Sequence, residues 1–149
     1  SKNSIYKNID PCTFLDQAAV ESLVDMTLQP GAVDHTSPNP NVVGCIWKKP
    51  VGSPAVMLQY WPKSKAALSD WVLPNNDVQS LSGYSGEAIA VINRGNPGIG
   101  LERGLASVVI RSKDGVIALY APYLKAPEGS VSFNDAVKLA DAAAIKASH

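Results

Sequence analysis

Apolar residues recur at two different periods along this chain, and the switches between them mark out its elements. Asp10 precedes Pro11, an N-cap followed by the residue best tolerated in a first helical turn. Asp16 offers a second start, and Ala19, Val20, Leu23 and Val24 form a helical stripe that ends before Gln29-Pro30-Gly31. Residues 30–41 are dense in Pro, Gly and Asn and read as a loop. The period then falls to two. Val43, Cys45 and Trp47 share one face of a strand over 42–49, and after a turn at 50–54 a second strand runs over 55–61. Ser64 caps a predicted short helix over 65–72 with Leu68, Trp71 and Val72 inward, and 74–77 is a predicted loop.

Residues 87–93 read as a strand, and 94–104 as a glycine-rich connection. A hairpin follows, 105–113 and 116–123, about Asp114-Gly115, a dipeptide suited to a type I′ turn because both central residues take positive φ. Counting outward pairs Ile110 with Leu119 and Val108 with Ala121 on a face aimed at the core. Val109, Arg111 and Tyr120 fall on the other, wetter face. The last element is a helix over 133–146, begun by a capping box of Ser132 and Asp135. On a helical wheel Phe133, Ala136, Val137, Leu139, Ala140, Ala143 and Ala144 share one side. These elements predict an N-terminal extension over 1–9 and one α+β domain over 10–149. Its antiparallel sheet has about five strands, covered on one face by the N- and C-terminal helices.

Composition narrows the function. Hydrophobic residues make up 46% of the 149 and charged residues 17%, below the usual share of about 25% charged; such a chain folds. Thirteen basic and 13 acidic residues cancel and no basic stripe forms, which argues against nucleic acid, whose binding draws on phosphate neutralisation. No apolar run approaches the roughly 20 residues that span a bilayer. Ser1-Lys2-Asn3-Ser4 carries no signal-peptide core.

Two cysteines, Cys12 and Cys45, are the chain's whole complement. They read as two buried thiols of a reducing compartment or as one bridge of an oxidising one, the second being our expectation. Even with His35 and His149 they make a poor zinc set, because His149 is the last residue of the sequence. Asp10-Pro11-Cys12-Thr13-Phe14-Leu15, followed by Asp16-Gln17-Ala18-Ala19-Val20 and later by Cys45-Ile46-Trp47, resembles a family of exported lipoproteins common in actinobacteria. That family shares a domain of unknown function. Gly83-Tyr84-Ser85-Gly86-Glu87-Ala88 loosely follows a further segment of its pattern. The resemblance covers most of 10–147 in outline. It implies an exported domain with Cys12 bridged to Cys45, lipid-anchored through a removed N-terminal segment, and it implies no known activity.

Catalytic patterns are sparse. The run Gly98-Ile99-Gly100-Leu101-Glu102-Arg103-Gly104 fits neither a dinucleotide fingerprint nor a P-loop, and reads as a structural turn. His35 has Ser37 and Ser53 as candidate nucleophiles, but no Gly-x-Ser-x-Gly elbow occurs. Asp70, Asp77, Glu87 and Glu102 show no pairing that would suit glycoside hydrolysis. Aromatic residues remain the best binding candidates, with Tyr60, Trp61, Trp71 and Tyr84 foremost and Tyr120 and Tyr123 behind them. The expectation is a non-catalytic cell-envelope domain, without cofactor or metal, that binds an envelope protein or a small apolar or glycan ligand. The alternatives are an assembly factor or inhibitor subunit of an envelope complex and, third, a hydrolase built on His35.

Overall fold

The computed structural model describes residues 5–149; Ser1-Lys2-Asn3-Ser4, where a leader was sought, lie outside the described residues. A 3-10 turn, Pro11–Phe14, leads into α1 (Gln17–Val24). Strands β1 (Ala32–Val33), β2 (Val43–Lys48) and β3 (Pro54–Pro62) follow. A second 3-10 turn, Leu68–Trp71, precedes β4 (Asn76–Leu81) and β5 (Ala88–Asn93). A third, Pro97–Ile99, precedes β6 (Gly104–Ser112), β7 (Gly115–Tyr120) and α2 (Val131–Ala147). The strands form one antiparallel sheet in the order β1-β2-β3-β7-β6-β5-β4.

The α+β class holds, but the sheet has seven strands rather than about five. The two missed strands are its edges. β1 has two residues inside a Pro- and Asn-rich stretch. In β4 the apolar Val78 and Leu81 are three apart and so fall on opposite faces, which hides the alternation. The opening helix stops at Val24, where Asp25 takes a left-handed conformation with φ 52°, well before residue 28.

α1 and α2 lie on one face of the sheet. Val20 and Leu23 of α1 are buried there, with all seven residues of the expected α2 stripe. They pack on Val43, Cys45 and Trp47 of β2, Leu58 of β3, Val108 and Ile110 of β6, and Leu119 of β7. Burying one Val, Leu, Ile or Phe side chain contributes about 1.5–3 kcal/mol, so this face carries most of the apolar stabilisation. The α2 cap is Ser130, not Ser132: its Oγ accepts from the Phe133 amide at 3.1 Å. At the other end Asp10 Oδ1 accepts from the Cys12 amide at 2.9 Å, as an N-cap should. Cys12 and Cys45 are joined, with Cα atoms 5.1 Å apart and a sequence separation of 33. The bridge ties the first 3-10 turn to β2, and Cys45 is fully buried.

The β6–β7 hairpin departs from its expected geometry. Ser112 pairs with Gly115, so Ile110 faces Ile117 and Val108 faces Leu119. The loop is Lys113-Asp114, and neither Asp114 nor Gly115 has positive φ; this is no type I′ turn. The shift leaves each residue on its expected face. Gly115 is there for another reason: a Cβ would land on the Trp61 carbonyl oxygen of β3, with Tyr60 Cε1 at 3.0 Å and Lys63 N at 3.2 Å.

The second face is not the wetter one. Ile89, Val91, Val109, Val116 and Ala118 are buried there under Leu68, with Trp61, Trp71, Val72 and Tyr120 partly buried around them. Strand order explains this. β3 lies mid-sheet and β4 at the far edge, so the chain between them crosses β7, β6 and β5. It does so as a strap, residues 63–75, which holds the 3-10 turn Leu68–Trp71 in place of the expected helix. Arg111 reaches up from β6 and donates to the carbonyls of Ser64, at 3.2 Å, and of Ala66.

Residues 94–104 fold back on themselves, consistent with a structural turn. Asn96 and Leu101 exchange backbone hydrogen bonds at 2.7 and 3.0 Å, and Asn96 Oδ1 caps the amide of Gly98. Arg103 joins Asp77 at 2.6 Å and Glu128 at 2.5 Å, and Arg94 joins Asp77 at 2.8 Å. Arg103, and after it Arg94, hold the Asp77 carboxyl below its ordinary range. A carboxylate depressed in the folded state adds stability that is fully present above its unfolded value, about 3.9, and lost as pH falls through the lower folded value. We therefore expect Asp77→Asn to remove part of the acid-side fall in denaturant stability between about pH 4 and pH 2. Parallel curves for the two proteins over that interval would contradict this role.

Candidate aromatic binding cleft

β3 assigns its aromatic residues to different places. Alternation sends Val56, Leu58 and Tyr60 to the helix side and Trp61 to the strap side. Tyr60 is 5% exposed and meets Phe14 edge-on, ring centroids 5.4 Å apart. Burial pushes its phenol above the ordinary range. It is a core residue on the helix side, opposite Trp61. Tyr84 also lies elsewhere, in the connection from β4 to β5, packed against the helix-side core. Its neighbour Ser85 fixes that connection to α2, with its amide and hydroxyl donating to Asp141 Oδ1 at 3.0 and 2.6 Å.

Trp61 and Trp71 do come together. Their rings sit edge to face, centroids 5.7 Å apart at 80°, an arrangement contributing about 0.5–1.5 kcal/mol beyond area burial. β3 supplies Trp61, and the strap turns Trp71 back onto it. The backbone that starts the strap is bent at Lys63, a non-glycine residue with φ 61°, whose amide donates to the Asp114 carbonyl.

These two rings line an open cleft of about 610 Å³, with Tyr6 and Tyr120 as further aromatic walls. Gln59, Asn41, Lys63 and Asp70 place two amides, an ammonium and a carboxylate at its surface. Asn41, Lys63 and Asp70 are solvent-exposed, while Gln59 and Tyr120 are half-buried. Burial holds the Tyr120 phenol above its ordinary range, so it stays neutral and able to donate at physiological pH. The Trp61 indole N–H is shielded from solvent and has no hydrogen-bond partner among the described residues.

Gln59 was readable as a neighbour of Trp61, since the two are separated by one residue on a strand. Asn41 and Tyr6 carry no such signal, because they arrive from distant segments: the Ile5 amide donates to the Pro40 carbonyl at 3.0 Å and brings the two stretches together. A second cleft of about 450 Å³ lies beyond Tyr120, between the 94–104 turn and residues 122–127. Its Arg103 is already held by Asp77 and Glu128, and its Tyr123 lies under Lys49 Nζ, 4.3 Å from the ring centroid.

His35 is exposed, and Asp34 Oδ1 accepts from the amide and hydroxyl of Thr36 at 2.8 and 2.6 Å. Among the described residues no three His, Cys, Asp or Glu side chains group as metal ligands, and no helix is long and apolar enough to cross a membrane. No family model matches this chain, and neither a curated protein nor a solved structure matches it significantly.

Proposed function

We propose that the protein is an exported, non-catalytic cell-envelope domain that binds a small ligand in the cleft between β3 and the strap. The observation that carries this reading is the convergence of Trp61, Trp71 and Tyr120 with Gln59, Asn41 and Asp70 around one opening. Binding sites combine apolar walls with a few convergent polar groups in this way. The bridge is compatible with an oxidising compartment. The Asp-Pro-Cys and Cys-x-Trp resemblance adds envelope lipoproteins as the setting.

A second reading, an assembly factor or inhibitor subunit, draws on β4. Its outer edge has no neighbouring strand in the sheet order, it contains neither Lys nor Pro, and Val78 is 49% exposed; such an edge can accept a strand from another chain. Two variants separate the readings in pull-down and ligand-titration experiments on the oxidised domain. Trp61→Ala abolishes small-ligand binding if the cleft is the site. Val78→Lys abolishes protein capture if the edge is the site. Retention of all binding by both variants would overturn both readings.

A further inference from the structure

We propose that the cleft takes a saccharide, and that the Trp61 indole N–H donates to one of its oxygen atoms; this deepens the cleft-binding reading and rests on it. Three observations converge. First, the indole nitrogen is buried without a partner among the described residues. A buried donor left unpaired is unfavourable, and a ligand that brings an acceptor recovers that loss. Second, the walls are aromatic while the edges are amide, carboxylate and ammonium. A sugar ring has the matching duality: its C–H faces stack on indole, and its hydroxyls both donate and accept around the rim. An acyl chain would use the walls and leave the Trp61 donor and the polar rim without partners. Third, the part of the strap nearest Trp61 is held by hydrogen bonds and not by a buried side chain. None of residues 63–67 is fully buried. Their cross-sheet ties include the bond from the Lys63 amide to Asp114 and the bonds from Arg111 to the Ser64 and Ala66 carbonyls, and the first deeply buried anchor is Leu68. A shift of this short stretch about Leu68 opens the shielded nitrogen to a ligand oxygen and leaves the apolar cluster beneath the strap in place.

The test follows the three indole N–H signals of Trp47, Trp61 and Trp71 by NMR in the full, oxidised chain. The added compounds are maltotriose, cellotriose and N,N′-diacetylchitobiose, with decanoate as an apolar competitor. Binding of at least one saccharide is expected to shift the Trp61 and Trp71 signals and leave the buried Trp47 signal in place. Trp61→Phe, which keeps a ring but removes the donor, is expected to weaken that saccharide about ten-fold. Asp70→Ala, an exposed substitution away from both apolar clusters, provides a second variant and is expected to weaken it several-fold. A saccharide that binds equally well to both variants, with the Trp61 signal unmoved, would overturn the donor role and leave the cleft reading standing. Shifts produced by decanoate alone would overturn the saccharide class. No shift from any compound would overturn the cleft reading together with this inference.

Discussion

Severing the bridge between Cys12 and Cys45 is expected to lower the unfolding free energy by roughly 3–4 kcal/mol. With a sequence separation of 33 between the cysteines, the unfolded chain regains the conformational freedom of a long loop once the bond is cut. For a domain of this size the melting temperature should fall by roughly 10 °C. Two comparisons isolate the cause. Reduction under denaturing conditions, followed by refolding with thiols kept reduced, removes the covalent bond and leaves both sulfur atoms. The double variant Cys12→Ala with Cys45→Ala also removes sulfur from a fully buried position, so it should lose more than reduction alone. A reduced, refolded chain that melts with the oxidised one would show that the bridge is not structural.

Gly115→Ala should be a strongly damaging single-methyl change, costing about 3 kcal/mol. Its backbone φ is not positive, so alanine suffers no dihedral strain; the cost comes from the added atom. That atom meets the Trp61 carbonyl oxygen, a main-chain atom of β3, with Tyr60 Cε1 at 3.0 Å and Lys63 N at 3.2 Å behind it. Main chain yields less readily than a side-chain tip, and Lys63 is already bonded to Asp114 beside the glycine. Relief therefore requires β3 and β7 to separate where they meet at Pro62 and Gly115, which also displaces Trp61. Gly98→Ala is the control: the nearest atom is the Asn96 Oδ1 side-chain oxygen at 3.2 Å, and the change should cost under about 1 kcal/mol. Denaturant midpoints for the two variants give the comparison, and equal midpoints would refute the steric argument.

Much of the fold was legible because it was written as periodicity. The α2 stripe from Phe133 to Ala144 is buried residue for residue as the wheel implies, and Val43, Cys45 and Trp47 share their buried face. β4 escaped because an edge strand pairs on one side only and tolerates polar residues such as Gln79 and Ser80. The face carrying Val109 looked wet because its cover comes from the strap, and the strap's path depends on strand order, which no local pattern encodes. The same holds for the site. Trp61 and Trp71 were visible as candidates, but their meeting depends on that crossing. Tyr60 could have been set aside from sequence, since strand alternation places it with Leu58 and opposite Trp61. Tyr84 carried no signal separating a packed loop residue from a binding one.

The sheet is two meanders laid side by side, β1-β2-β3 and β4-β5-β6-β7, joined along a seam where β3 meets β7. Both halves of the cystine, the turn before α1 and strand β2, belong to the first meander. Oxidation thus staples that half to itself and puts no covalent link across the seam. Its parting is resisted by the ladder of backbone bonds, by the strap that Arg111 of β6 holds, and by α2, which touches β6 and β7 on one side and α1 and the cysteine-bearing turn on the other. Helix α2 is therefore a clasp between the two halves.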